Sequence, residues 1–327
     1  MLTIDGSYGE GGGQLVRNAV ALSAITGEPI AIERIRATRK NRGLAAQHIA
    51  ALRSVACACD ATCTGINPGS DSITFFPRGL KACDVSVDVG TAGSIPLVIQ
   101  AWLSVGLISG GSLHITGGTE VSKSPTIDYL DRVLADVLRN AGAEICIDIP
   151  MRGYFPEGGG EVAIEIKKKN LIPIRPSEFQ DGAPGIVSAS CNLPEHVAER
   201  QAAAAAERLW TALGRACDVS IDRRSGLSTG SSCTIWRGAK GASALGKRGV
   251  PAEKIGAIAA LTALEEFGQP GDVDVFLSDQ LLVPLALFGG SFTTSSLTSH
   301  AETTLWLLGE FGFDVKCSTG PVVEFSA

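Results

Sequence analysis

Gly110-Gly-Ser-Leu-His-Ile115 is a glycine turn followed by a short alternating apolar segment. The same turn-and-strand figure stands at Gly27-Glu-Pro-Ile-Ala-Ile32 and again at Gly271-Asp-Val-Asp-Val-Phe276. Each copy has an apolar helical run in front of it, over residues 15–25, 95–107 and 255–267. Behind each come a loop, a second helix and two strand-like runs. Those helices span 43–57, 125–140 and the segment after Ser299; the strand runs lie near 61 and at 73–76, at 143–149 and 161–166, and at 313–317 and 322–325. The pattern predicts α/β architecture: three repeated helix–strand–helix–strand–strand units forming a pseudo-symmetric main domain.

Local signals support the helices. In the second copy Ser124 is expected to cap, with Pro125 at the first helical position. Ile127, Leu130, Leu134, Val137 and Leu138 then form one apolar face, and Gly142 stops the helix. Residues 180–250 break the repeat. They hold an Ala-rich helix over 202–213, a strand over 217–221 and a Gly/Ser/Lys-rich loop over 226–249. The expected organisation is a main domain of residues 1–179 and 251–327 with an inserted smaller α/β domain at 180–250.

Composition narrows the classes. The 327 residues are 45% hydrophobic and 19% charged, which is ordinary for a globular protein with a sizeable core. No 18-residue apolar run suits a membrane span, and no signal peptide is expected, because Asp5 and the glycines interrupt the N-terminus. Nine cysteines without a C-x-x-C spacing fit reduced thiols in a cytoplasmic protein better than a zinc site. A net charge of −6 argues against wrapping long nucleic acid and leaves room for a local basic grip on one strand end.

Chemistry concentrates in a few segments. Thr298-Ser-His300-Ala-Glu-Thr-Thr304 reads as a helix start, with Ser299 as cap and Glu302 closing a capping box. His300 then lies in the first turn, where the helix dipole favours anions and disfavours imidazolium. A neutral imidazole beside an anion site is a nucleophile or a general base. Asp5-Gly-Ser-Tyr-Gly-Glu-Gly-Gly-Gly-Gln14 is a glycine-rich strand-to-helix turn able to cradle phosphates, and it matches neither the Walker nor the Rossmann fingerprint. Glu10 within it is a candidate ligand for a divalent cation. Val89-Gly-Thr-Ala-Gly-Ser94-Ile-Pro96 is a second such turn. Arg34, Arg36, Arg39, Lys40 and Arg42 place five cations in nine residues of an acidic chain, ahead of Gln47 and His48. Asp279-Gln-Leu-Leu-Val-Pro284 reads as an apolar helix start, with Asp279 either a plain cap or a member of the His300 site. Gly158 to Gly160 suit a hairpin turn, and His114 and His196 suit structural positions.

Together these segments resemble the RNA 3′-terminal phosphate cyclase family. The signatures are the Asp5–Gln14 turn, Arg36-Ala-Thr-Arg39 with Gly43-Leu-Ala-Ala-Gln47-His48, and Gly90-Thr-Ala-Gly-Ser94. Gly117-Gly-Thr-Glu120 with Pro125-Thr-Ile-Asp-Tyr129-Leu130, Arg152-Gly-Tyr-Phe-Pro-Glu-Gly-Gly-Gly160, Asp279-Gln-Leu-Leu and the His300 helix complete them. The resemblance implies three α/β units and an insert of thioredoxin-like topology. The family is similar in fold to the enolpyruvyl transferases, which lack these His and Asp-Gln-Leu-Leu signatures. A non-catalytic ribosome-assembly branch lacks the nucleophilic histidine, so the presence of His300 favours an active enzyme over an RNA-binding assembly factor.

The activity so implied is an ATP-dependent ligase reaction that converts an RNA 3′-phosphate end to a 2′,3′-cyclic phosphate. His300 would take AMP from ATP with loss of pyrophosphate, the RNA phosphate would then take the AMP, and the 2′-OH would expel it. By the same resemblance Glu10 would hold Mg2+ or Mn2+, and Arg36, Arg39 and Gln47 would contact phosphates. Pro125 and Tyr129 would pack about the adenosine, with Asp279 and Gln280 at the nucleotide site. Phe276 lies where some members stack a Tyr on adenine. Two departures stand out: the family's His-x-x-Thr-Asn ends here in Thr304, and Arg42 replaces the usual Pro. A homo-oligomer and a monomer are both compatible with the pattern.

Overall fold

Strand pairing follows one rule in the first two sheets of the computed structural model, which describes residues 1–179 and 182–327. In the first, β1 (Leu2–Asp5) runs parallel to β2 (Ile30–Glu33), with Leu2 opposite Ile30. β3 (Thr62–Thr64) and β4 (Ile73–Phe76) complete the order β1-β2-β4-β3 by antiparallel pairing. Helix α1 (Gly13–Thr26) is the crossover that parallel pairing requires, and α2 (Ala46–Ala58) links β2 to β3. The second sheet repeats this with β5 (Cys83–Asp88), β6 (Gly111–Gly117), β7 (Glu144–Met151) and β8 (Gly160–Lys167) in the order β5-β6-β8-β7. Its crossover is α3 (Ile95–Ser109).

The second helix of this unit starts later than its sequence suggests. Thr126, rather than Ser124, caps α4 (Ile127–Tyr129), accepting from the Tyr129 amide at 3.1 Å. Ser124 donates instead to the Val121 carbonyl. The chain then passes through a π turn at Leu130–Ala135 into α5 (Asp136–Asn140). The glycines at 158 and 159 take left-handed φ of 75° and 72° in the turn before β8, as expected of a hairpin turn.

A separate core follows. β9 (Gly185–Cys191), β10 (Asp218–Arg224), β11 (Gly230–Arg237) and β12 (Lys240–Leu245) form a sheet of order β10-β9-β11-β12. Helices α6 (His196–Leu213) and α7 (Ala252–Gly268) cover it, burying Ile186, Ala205, Leu209, Ile235, Ala259 and Ala263 together. Two expectations fail here. The segment 226–249, read as a loop, is largely the β11–β12 hairpin; its small polar residues Ser231, Ser232 and Thr234 are buried strand positions. The helix at 255–267, read as the front of the third copy, belongs to this second core, so the segment packing there runs past residue 250. The expected boundary at residues 179–180 touches positions outside the described residues.

The third sheet, β13 (Ser291–Thr294), β14 (Lys316–Thr319) and β15 (Val323–Ser326), has the order β13-β15-β14. Its front helix is α8 (Val275–Phe288), and α9 (Ser299–Glu310) links β13 to β14. The strand expected over 271–276 is therefore absent. Asp274 caps α8 by accepting from the Phe276 and Leu277 amides, which turns that stretch into a helix start. The lead position of this unit is taken by Ile174, which bridges in parallel to Gly290. Along the chain the residues of the second core fall between Ile174 and α8. Trp102, Phe75, Phe292 and Phe325 are fully buried where helices meet the sheet faces; truncating one such Phe to Ala costs about 3–5 kcal/mol.

Candidate active site

α9 begins one residue earlier in its cap than the sequence suggests. Thr298, in extended backbone, accepts the Ala301 N–H at 3.0 Å and donates its hydroxyl to Asp279. Ser299 is therefore free of capping, and its hydroxyl donates to Glu10. Glu302 sits in the first turn without closing a box. His300 nevertheless occupies the expected first turn.

The glycine-rich turn comes to it. Glu10 accepts from Arg39 Nη2 at 2.7 Å and faces His300 Nε2 at 3.5 Å. Ser299 holds the Glu10 carboxyl below its usual range, helped by Arg39 against the opposing effect of burial. His300 is half-buried, and burial lowers its pKa; Glu10 opposes this while Arg17 and Arg39 add to it. The imidazole is therefore biased to the neutral, nucleophilic form. Glycine is required here by contact: a Cβ on Gly9 would fall 2.3 Å from Thr303 Oγ1, and one on Gly13 would fall 2.0 Å from His48 Nε2.

The remaining phosphate candidates have defined neighbours. Arg36 donates to the Gly43 carbonyl at 2.8 Å and is depressed by burial and by Arg39. Gln47 Oε1 accepts the Ser94 amide at 2.9 Å, joining α2 to the second glycine-rich turn, where Ser94 caps α3. His48 is buried, accepts the Ala45 amide on Nδ1 at 3.0 Å, and is pushed down to about 3 by burial, Arg17 and Arg36. It stays neutral.

Arg17 was not singled out by sequence reasoning. It is 7% exposed, and burial lowers its pKa to about 10, so it is charged at neutral pH. No hydrogen bond or ion pair reaches it among the described residues. Arg17 is thus a buried cation within electrostatic range of His300. The available signal was a charge inside the apolar run Leu15-Val-Arg-Asn-Ala-Val20. Gln14 and Asn18, also on α1, donate to Thr304 Oγ1 at 3.3 and 3.4 Å, so amides reach this position from α1 rather than from α9.

The nucleotide-side candidates are arranged differently from one another. Asp279 lies inside α8 and not at a helix start; burial, then Asp274 and Glu10, push it up to about 7 against the Thr298 bond. Tyr129 is buried, and its hydroxyl donates to Asp274 at 2.7 Å, so it fixes the cap beneath Phe276. Phe276 is 60% exposed, presenting a free ring at the start of α8. Gln280 accepts from Gln100 at 2.7 Å and donates to the Phe276 carbonyl. Pro125 is half-buried just before the cap of α4. Near His300, direct bonds join Arg39 and Ser299 to Glu10 and, separately, Thr298 to Asp279, whereas among the described residues none ties Pro125, Gln280 or Gln47 to them.

A family model described as RNA 3′-terminal phosphate cyclase matches residues 8–318. The chain belongs to the RNA 3′-terminal phosphate cyclase family. It is similar to the RNA 3′-terminal phosphate cyclase of Methanococcoides burtonii, 46% identical over 319 residues that cover 97% of this chain and 96% of the relative. The protein of that name from Pyrococcus furiosus is 42% identical over 335 residues, covering 98% and 96%. That from Nitrosospira multiformis is 40% identical over 325 residues, covering 95% and 91%. The matched span of the cyclase family includes every residue in the Glu10–His300 cluster.

Proposed function

We propose that this chain is an ATP-dependent RNA 3′-phosphate cyclase acting through a covalent His300–AMP adduct. The observation that carries the proposal is His300 at the N-terminus of α9, held toward neutrality beside the Glu10–Arg39 pair. A ring nitrogen attacks the α-phosphorus; a P–N bond forms, the bond to the bridging oxygen breaks, and pyrophosphate leaves. An oxygen of the RNA 3′-phosphate then displaces the histidine from the AMP phosphorus. Finally the vicinal 2′-OH attacks the RNA phosphorus and AMP departs, leaving the cyclic diester. Adenylation supplies the leaving group that a monoester lacks, and the last step is intramolecular. DNA ends lack the attacking hydroxyl.

The charges suit a triphosphate. Glu10 and Arg39 neutralise each other; with nucleotide and cation bound, Glu10 would hold the metal and Arg39 would face phosphate. Arg17 and Arg36 add positive charge for the chain of phosphates, and Gln47 adds an amide. Among the described residues no cluster of three acidic, His or Cys groups could hold an ion alone. Glu10 would be the protein's carboxylate for Mg2+ or Mn2+, and the ion when bound would offset negative charge on the phosphates. Phe276 and Pro125 would flank the adenine, with Tyr129 and Asp279 supporting from beneath.

By the same reading the three sheets are repeats related by pseudo-symmetry. The second core, with its βαβ–β–β–α order, has thioredoxin-like topology and extends from the insertion point through α7. Nine free cysteines fit a cytoplasmic setting, and no helix among the described residues is long and apolar enough to cross a membrane. Incubation with ATP labelled at the α-phosphate and Mg2+ should leave acid-labile, alkali-stable label on the protein, lost in His300→Ala. Absence of label on the unaltered protein would overturn the proposal in favour of a non-enzymatic RNA-binding role.

A further inference from the structure

We propose that Tyr8 and Trp306 form a stacking platform for a nucleobase of the RNA strand, two or three nucleotides upstream of the reacting 3′ end. The inference rests on the cyclase reading above and concerns how the rest of the strand is held. The two rings lie 3.9 Å apart at 18°, a stacked pair. Tyr8 belongs to the glycine-rich turn, two residues before Glu10. Trp306 lies on α9, six residues beyond His300, which is about 9 Å along the helix axis. Between them Gly9 lies flat against Thr303, so the turn follows the face of α9 from the nucleophile to the tryptophan.

Trp306 covers one face of Tyr8, yet Tyr8 remains 41% exposed. Pinning the turn to α9 does not require that exposure, because the Gly9–Thr303 contact and the Ser299–Glu10 bond already do so. An exposed aromatic side chain beside the Glu10–His300 cluster is suited to a flat, apolar ligand. The surroundings select a polyanionic one. The Tyr8 amide donates to the Asp5 carbonyl, and the Asp5 carboxylate holds Arg34 at 2.5 Å. Arg39, Lys40 and Arg42 lie exposed on the same basic loop. Phosphates along a cationic loop with bases on an aromatic ring is the usual way a single strand is gripped. At roughly 3.4 Å per stacked base, about 9 Å spans two to three nucleotides.

The test is equilibrium binding of 3′-phosphorylated RNA oligonucleotides, without ATP, each carrying one abasic site at a successive position from the 3′ end. The unaltered protein and Tyr8→Phe should bind strands abasic at the second or third position about tenfold more weakly than intact RNA. Tyr8→Ala and Tyr8→Leu should bind abasic and intact strands alike; leucine keeps an apolar contact on Trp306, which guards against a folding defect. A flat abasic series on the unaltered protein, or a penalty that persists in both the Ala and Leu variants, overturns the platform. Because no nucleotide is present, this outcome is independent of whether His300 takes label from ATP.

Discussion

Thr298 bonds in two directions at once, donating to Asp279 on α8 and accepting the Ala301 N–H on α9. The start of the helix that carries His300 is therefore set by a buried carboxyl on its neighbour. Thr298→Val keeps the side-chain shape and loses both bonds. It should destabilise the fold by about 1–2 kcal/mol in denaturant unfolding and slow self-adenylylation. Asp279→Asn retains an acceptor for the hydroxyl and should cost less on both measurements. Equal losses in the two variants would show that the bridge between the helices is unimportant.

The charges around His300 act in opposite senses, which an NMR titration of its ring protons can separate. Glu10 raises the imidazole pKa, whereas Arg17 and Arg39 lower it. Glu10→Gln should move the midpoint further down and Arg39→Ala should move it up. Adenylylation by the unaltered protein should stay level as pH falls through 6.5 and decline only below that, since the folded pKa is depressed. An inflection at or above 6.5 would contradict the assignment.

Arg17 is charged and buried and has no hydrogen-bond or ion-pair partner among the described residues, a combination that costs folding stability. Replacing such a charge by an apolar side chain of similar length removes a desolvation penalty of roughly several kcal/mol. Arg17→Met is therefore expected to raise the melting temperature while weakening ATP binding, measured by calorimetry on the same sample. A lowered melting temperature would mean that the guanidinium is structural.

At the joint between the second sheet and the inserted core, Arg152 gathers Glu120, Asp128 and Asp222 at 2.7–2.8 Å. Three carboxylates around one cation leave excess negative charge. Burial, opposed by Arg152 and reinforced by Asp128, pushes Glu120 up to about 7. A folded-state pKa above the unfolded value of 4.5 means that this stability is full below pH 4.5 and is lost as pH rises through 7. Glu120→Gln should flatten that decline in melting temperature between about pH 4.5 and 7. An unchanged slope would show that Glu120 is ionised in the folded protein.

Much of the site was legible because its residue types are costly elsewhere. A histidine just inside a helix start, a glycine-dense turn with one carboxylate and a run of arginines all break the local pattern. Arg17 was hidden because a single charge in an apolar helix gives no indication of what faces it. Thr298 and Asp274 were missed as caps because neighbouring Ser299 and Asp279 satisfy the same local rule. Which hydroxyl or carboxyl wins depends on partners in other helices. The 226–249 hairpin was missed because small polar residues signal loops until packed helices bury them.

By itself, the order of residues determined most of the helices and strands, the glycines that permit left-handed turns and close contacts, and the presence of a histidine near a helix start. These are local consequences of backbone sterics and side-chain period. Only the tertiary structure decided that Glu10 and His300, 290 positions apart, face each other at 3.5 Å. It also decided that α7 packs in the second core and that Arg17 lies buried without a counter-charge among the described residues. Such pairings come from how the sheets and helices close on one another, and burial then shifts charge and affinity in ways that local sequence does not encode.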